Sequence, residues 1–432
     1  MSVLSQFMGG DGTEIGQVIP TTGAMNYFVS GSKEYLRTGF LRSYSASYSA
    51  LKDRAPYACW VDLSVTNASP AFGSLTIGSN ARIWHDGTRY WLIRADGSAS
   101  TNQAYTSTDL SAWTSGLAGS VRVLDSTRVG TGTNIVAVGG DGTGTSAFSS
   151  QGTGLLTGVS TPFSNQLISV ASNTTGNLIV AITSQNSNDG SANILTSTTG
   201  NAWTSRIGTG GNNFVMQAVT WSPCSSAFFI IGGSTVSISM NKTTDGFTQT
   251  AVWNADTTAG GIDSSFFASS EMFIAHSPTA TIISQTGGRL RRTTDGTTWS
   301  VIDLNTVNGA SLLSQGGTPG AYKIFYDSVN SRFICFTEAT GNGIQGTYTL
   351  HSTDNGATWF PYFGYRLTGT PKPYIICSAN NQTLVLNYTT TGPASNISNA
   401  TNDIAQANPD WIGSISVVYG SGSTVATHMR IL

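Results

Sequence analysis

The chain has 432 residues, 39% of them hydrophobic and only 10% charged, with 20 Lys plus Arg against 22 Asp plus Glu and 50 Gly. That length can bury a large core. A formal charge of -2 with no Lys/Arg cluster larger than Arg289, Arg291 and Arg292 excludes the basic footprint of a nucleic-acid binder, and the lack of any run of about 18 apolar residues excludes a membrane-spanning helix.

Residues 1 to 23 are Gly-rich and broken by Gly9-Gly10, Asp11-Gly12 and Pro20, so they read as a flexible or extended arm, and Met1 to Met8 lack the basic start of an export signal. From Asn26 to Pro56 aromatic residues alternate with cations, including Tyr27, Tyr35, Arg37, Phe40 and Arg42. This stretch reads either as a docking element ordered by a partner or as a segment packed along the rim of the repeat array.

From Ala81 one grammar repeats: an apolar strand, a short turn, a strongly apolar second strand, a variable loop, a third strand ending in a hydroxyl-rich turn, and a fourth strand leading out. First strands are predicted at 81–85, 121–124, 167–171, 217–221, 262–266, 322–326 and 374–378, and second strands at 90–94, 135–139, 178–183, 227–232, 272–276, 332–337 and 383–388. Second strands such as Phe228-Phe229-Ile230-Ile231 are apolar on both faces, which marks strands covered on both sides. The last ten residues, 423–432, also read as a strand. A ring of such units must close to hide its edges, and the prediction is that this last strand shares a unit with strands around 59–65.

The turn after the third strand is most complete at Ser352-Thr353-Asp354-Asn355-Gly356-Ala357-Thr358-Trp359. Its hydroxyl and carboxylate suit bonds to nearby backbone N–H groups, its Gly supplies a positive φ, and its Trp buries a large apolar face, so the unit is expected to staple one strand pair. Degenerate copies start at Ser107, Ser149, Ser197, Thr243 and Thr293 and carry Asp109 and Trp113, Trp203, Asp245, and Asp295 with Trp299. Gln151 and Thr199 replace the Asp, Leu110 the Gly, and Leu155 and Gln249 the Trp, while the seventh unit has no recognisable copy. A repeat of roughly 40 to 50 residues is the size of a propeller blade.

Ser352 to Trp359 resembles the Asp-box of sialidase-like β-propellers, and Thr293 to Trp299 is similar to the variant of phage tail-associated propellers. The stretch Gly31 to Gly39 resembles a small module ahead of the repeats in phage tail proteins, and His428-Met429-Arg430-Ile431 is similar to their ends. The resemblance implies an all-β fold. In that family the Asp-box lies on an outer turn, away from the central site, so it speaks for fold and not for chemistry.

An active sialidase would need an arginine cluster, a Glu-activated Tyr and an acid Asp at the ring centre. Only Glu14, Glu34, Glu271 and Glu338 exist, and Ala81-Arg82-Ile83-Trp84 lacks the Pro of the family's arginine signature. Arg82, Arg89, Arg94, Arg289 and Arg332 are the arginines available, and as single strand-end residues they read as solvated charges. A two-carboxylate hydrolase could draw on Asp62, Asp86, Asp96, Asp125, Asp263 or Asp327, most of which turn formation explains better. His85, His276, His351 and His428 lack ligand spacing, and Cys59, Cys224, Cys335 and Cys377 form no CxxC pair, so no metal or cofactor is expected and the thiols read as free. Among aromatic residues, Trp91 and Trp221 read as core. The run Trp359 to Arg366, with Phe360, Tyr362, Phe363 and Tyr365, is the candidate contact surface.

The expected fold is therefore an all-β, seven-bladed β-propeller of four-stranded antiparallel blades over 61–432, preceded by an extended N-terminal arm over 1–60. The expected role is a non-enzymatic phage virion protein, folded in the host cytoplasm without membrane insertion. Its arm would dock on other virion proteins in an oligomer or larger assembly, and its ring would contact host glycan or receptor. The alternative is a sialidase-like glycoside hydrolase acting on host surface polysaccharide.

Overall fold

The structure is a computed structural model that describes most of residues 78–253, 274–303, 323–362 and 374–400, and the short stretches 17–18, 24–30, 33–39, 60–62, 415–416 and 426–430. Described residues are almost all β, with one 3-10 turn, Pro223–Ser225, among them. Among the described residues the strands form eight sheets, seven of which follow one another along the ring. Blade 1 holds Arg82–His85, Tyr90–Ile93, Ala104–Ser107 and Thr114–Ser115, and blade 2 holds Val123–Arg128, Ile135–Gly139, Ala147–Ser149 and Thr157–Val159. Blade 3 runs from Leu167–Ser172 through Ile179–Thr183 and Ile194–Ser197 to Thr204–Arg206, and blade 4 from Met216–Ser222 through Ala227–Ser234 and Ser237–Thr243 to Thr248–Trp253. The strand Thr209–Gly210 adds to the outside of blade 4 in parallel. Blade 5 comprises Ile274–His276, Thr281–Gln285, Arg289–Thr293 and Ser300–Asp303, and blade 6 Lys323–Asp327, Arg332–Gly341, Ile344–Ser352 and Phe360–Tyr362. Blade 7 is Tyr374–Ala379, Gln382–Thr389 and Gly392–Ala400, completed by Trp60–Asp62.

First strands of neighbouring blades touch, blade 7 touches blade 1, and fourth strands lie outermost, which makes the sheets a closed β-propeller. The core sits between blades. Trp91 and Ile93 of blade 1 meet Ile135, Ala137 and Phe148 of blade 2; Val136 and Val138 of blade 2 meet Ile179, Leu195 and Trp203 of blade 3. Ile83, Leu92 and Trp113 of blade 1 meet Cys377 and Leu384 of blade 7. Because each sheet is covered on both faces, second strands such as Ile179–Thr183 are buried at every position, and strict polar alternation is lost.

Two expectations are corrected. The ring is closed by Trp60–Asp62, whose Asp62 stands opposite Ser398, and not by the last strand. Ala426–Arg430 instead pairs with Lys33–Gly39, with Arg430 opposite Tyr35, in a separate sheet that also contains Gln17–Val18, Ala24–Ser30 and Ile415–Ser416. Blade 7 has its four strands without the last segment, which takes the open edge of the hairpin formed by Ala24–Ser30 and Lys33–Gly39. The second correction concerns the arm, which in its described part is that hairpin and not an extended segment. Its register places Ser30 opposite Lys33 and Ala24 opposite Gly39.

In the fifth unit the predicted second strand 272–276 is the first strand, Ile274–His276, and Thr281–Gln285 is the second. The short apolar centre Ile282-Ile283 between Thr and Gln concealed it. The predicted first strand 262–266 lies outside the described residues, as does Cys59. Cys335 and Cys377 are buried free thiols, and Cys224 is a partly buried one.

Candidate functional site

The turns after the third strands are built as their residue types require. Asp354 accepts from the Ser352 hydroxyl at 2.7 Å and the Thr358 N–H at 2.9 Å, while Ser352 Oγ accepts the Gly356 N–H at 2.8 Å. Asp295 takes the N–H groups of Thr297 and Thr298 at 2.8 and 2.7 Å, Asp245 those of Phe247 and Thr248 at 3.0 and 2.7 Å, and Asp109 that of Ala112 at 3.0 Å. Backbone hydrogen bonds hold the Asp295 carboxyl far below the usual range. For Asp354 burial alone would raise it, but the bonds from Thr358, Ser352 and Ala357 outweigh burial and hold it low.

Each turn also grips the blade before it, which the sequence reading of a staple within one strand pair missed. Trp359 of blade 6 is fully buried against Ala280, Ile282 and Leu290 of blade 5, with its indole N–H on the Gly356 carbonyl at 3.0 Å. Trp203 packs on blade 2 and Trp113 on blade 7, each donating to the carbonyl at the turn's Gly position, Gly200 at 3.1 Å and Leu110 at 3.0 Å. Trp299 lies 6.0 Å from the Phe229 ring of blade 4. The glycine is required by space as well as by φ: at Gly356, φ +80°, a Cβ would lie 2.0 Å from Ile282 Cδ1. At Gly200 it would lie 2.4 Å from Val136 Cγ2 of blade 2.

The first strands enclose a central cavity of about 450 Å³, lined from blades 1 to 4 and from the Ser378–Asn380 stretch of blade 7. First and third strands both run antiparallel to the second, so the turns ending them share one face. Because Gly130, Thr131, Thr174 and Asn380 of the first-to-second turns line the cavity, it reaches the same face as the aspartate turns.

Asp125 is the carboxylate among the described lining residues. Its Oδ2 accepts from Ser169 Oγ at 2.7 Å and from the Val170 N–H at 3.0 Å, and its Oδ1 from the Ser126 N–H at 2.8 Å. Ser169 Oγ in turn accepts the Val219 N–H at 3.2 Å, so one chain of bonds joins blades 2, 3 and 4. Burial pushes the Asp125 carboxyl up, against these bonds and the charge of Arg82. At the opposite seam the Ile83 N–H reaches Cys377 Sγ at 3.2 Å.

Trp84 and Trp221 line the cavity with pinned indoles, donating to Ser126 Oγ at 3.0 Å and Thr174 Oγ1 at 2.8 Å. Trp221 is partly exposed at the wall and packs on the core beside Phe228, with ring centroids 4.8 Å apart, whereas Trp91 is fully buried as expected, its N–H on Asp86 Oδ2 at 2.7 Å. Arg82 lines the cavity and gives one N–H to the Ala81 carbonyl at 2.8 Å; Arg128 folds onto its own turn, donating to the carbonyls of Gly132 at 2.8 Å and Thr131 at 2.6 Å. His85 Nδ1 accepts the Gly87 N–H at 3.2 Å, and burial lowers its pKa, so the ring is neutral at pH 7 with its proton on Nε2.

Of the arginines available to a sialidase-type cluster, Arg82 alone among the described residues reaches the cavity. Arg89 pairs with Asp86, Arg94 with Asp96 and Arg332 with Asp327, and the Arg289 side chain lies outside the described residues. Asp327 accepts from Thr383 Oγ1 at 2.6 Å and Asn330 Nδ2 at 2.8 Å, which makes it a fastener between blades 6 and 7. Phe360 and Tyr362 stand on the outermost strand of blade 6, and Phe363 and Tyr365 lie outside the described residues. Tyr27, Tyr35 and Arg37 are on the terminal hairpin, while Phe40 and Arg42 are outside the described residues. Sequence reasoning passed over Trp84, Arg128 and Gln217 as cavity-lining residues; aligning the repeats by their first strands would have set them beside Arg82 and Asp125. No group of three His, Cys, Asp or Glu among the described residues could hold a metal, and no described helix is long and apolar enough to cross a membrane.

No protein-family model matches the chain, and no curated protein matches it. Among solved structures it is similar to YCF48 from Cyanidioschyzon merolae, at 12% identity and TM-score 0.47 over 80% of this chain and 99% of that one. A structural genomics protein of unknown function from Bacteroides thetaiotaomicron is similar at 11% identity and TM-score 0.40, over 89% and 82% of the two chains. The GH74 xyloglucanase from Xanthomonas campestris is similar at 12% identity and TM-score 0.34, over 88% and 71%. The fold assignment stands on the sheet order and the packing between blades.

Proposed function

We propose that the chain is a structural component of a bacteriophage virion, a tail, fibre or decoration protein that displays its propeller for contact with host surface or glycan and catalyses no reaction. The observation that carries this reading is the division of the backbone into two modules. One is the ring from Trp60–Asp62 to Gly392–Ala400, and the other is a separate sheet gathering both terminal segments. Such a division suits display by one module and attachment by the other. The Asp-box turns, the Gly31 to Gly39 stretch and the terminal His428 to Ile431 support a phage setting by their resemblance. Other virion proteins would meet the terminal sheet, and the Phe360–Tyr362 edge strand of blade 6 offers a contact strip at the rim.

The test uses the full chain supplied to assembling particles, with Leu36→Pro or Met429→Pro introduced into the terminal ladder, where Leu36 stands opposite Met429. Both variants are expected to lose incorporation while the ring keeps its melting temperature. Undiminished incorporation would overturn the division of labour.

The second reading is a sialidase-like hydrolase, favoured by a carboxyl in the cavity wall whose pKa burial raises, at Asp125. Against it stand the three protein donors that hold both Asp125 oxygens.

A further inference from the structure

We propose that the terminal sheet docks on a carboxylate-rich surface of another virion protein through one of its two faces, the one that carries Lys33, Arg37 and Arg430. The proposal rests on the reading of this sheet as the attachment module, and it assigns the face and the chemistry of the partner. Residues opposite one another in an antiparallel ladder share a face, and neighbours along a strand alternate between faces. Phe28, Tyr35 and Arg430 therefore form one row across the sheet. Gln17, Asn26, Arg37 and His428 form the next row on the same face, and the pair Ser30 and Lys33 makes a third. The other face takes Val18, Met25, Tyr27, Val29, Leu36 and Met429, and with them Glu34.

The two faces thus differ in kind. Every Lys and Arg of the described terminal strands falls on the first face, and the one carboxylate residue of those strands, Glu34, falls on the second. At about 3.3 Å per residue Lys33 and Arg37 stand roughly 13 Å apart along their strand, and Arg430 lies one strand over in the row between them, so three cations share a small area. This is a local departure, since the whole chain has a formal charge of -2. A sheet with one apolar and one polar face buries the apolar one, and burying three cations without partners would cost far more than leaving them in water. The cationic face is therefore the one left for a partner. Carboxylates match its charge, and Arg in one row with Phe28 and Tyr35 is the combination that protein interfaces favour at their centres. A nucleic acid would ask for a longer basic stripe than three cations on a chain of negative net charge.

The experiment measures uptake of the purified full chain by particles assembled without it, as a function of salt. Affinity is expected to fall at least about tenfold between roughly 50 and 500 mM salt, because screening weakens a contact made by charge. Lys33→Gln, Arg37→Gln and Arg430→Gln are each expected to weaken uptake about threefold or more, and the three together to remove most of its salt dependence. Arg37→Lys, which keeps the charge, is expected to retain most of the affinity, and Glu34→Gln on the opposite face to leave it unchanged. The salt response of the unaltered chain needs no variant, so a substitution that disturbs the sheet does not shield the proposal. Uptake that ignores both salt and the three substitutions would overturn it while the attachment reading stood, and competition by a single-stranded DNA oligonucleotide would overturn it in favour of a nucleic-acid site. No uptake of the unaltered chain at any salt would remove the attachment reading, and this proposal with it.

Discussion

At the scale of single residues, three acids beside hydroxyl residues divide between two tasks. Asp354 and Asp295 are turn acceptors, and their Ser/Thr-x-Asp spacing made that legible, since only a short carboxylate two residues after a hydroxyl reaches those N–H groups. Asp125 looked like another turn residue, yet its partners Ser169 and Val170 are about one repeat away in sequence, so no local pattern could reveal the network. Asp125→Ala strands the Val170 and Ser126 N–H groups and is expected to cost about 1–3 kcal/mol by denaturant unfolding. His276 sits between Thr220 Oγ1 at 2.7 Å and Thr281 Oγ1 at 2.9 Å on the seam of blades 4 and 5, and burial lowers its pKa to about 3. Unfolded, it takes a proton near pH 6.5. The folded state is therefore favoured fully above that pH, and the advantage is lost as pH falls from about 6.5 towards 3, reaching on the order of 3 kcal/mol at pH 4. His276→Gln is expected to flatten the melting temperature between pH 7 and 4; an unchanged slope would show that this imidazole is not the group responsible. Below about pH 4 the depressed carboxyls of Asp245 and Asp354 add a further loss as they take up protons.

Among elements, the aspartate turn is the unit that joins one blade to the one before it. Its presence and spacing were readable because Gly, Trp and hydroxyls are rare together. Its partner was not, because the surface it grips is the second strand of another repeat. Blade 7 explains the missing seventh copy: its fourth strand, Trp60–Asp62, comes from far earlier in the chain, so no third-to-fourth turn exists to need one. Two glycines separate backbone strain from inter-blade space. Gly87, φ +100°, has nothing within 4 Å of a Cβ, so Gly87→Ala is expected to cost about 1 kcal/mol, the strain of a left-handed residue. Gly356→Ala adds the clash with Ile282 and is expected to cost at least about 2 kcal/mol. Combining it with Ile282→Ala should recover part of that cost, with a coupling of about 0.5–3 kcal/mol. Strict additivity in that cycle would mean the turn does not bear on the preceding blade.

On the scale of the whole molecule, the all-β propeller was legible from period and composition, but the closure was not. Both 423–432 and the segment around Trp60 read as edge strands, and the choice between them depends on which edge is open once Gly392–Ala400 is in place. Val61→Pro, which breaks the closing strand beside Asn399, is expected to lower the ring's melting temperature by several degrees, while Met429→Pro leaves it in place. The acid in the described cavity lining, Asp125, is tied into the seams of the ring by its hydrogen bonds. The most direct measurement is a screen of the full chain against host envelopes and isolated surface polysaccharides, read at once for retained protein and for released sugar. Retention with no released sugar is the predicted result, and release of sugar that Asp125→Asn abolishes would contradict it.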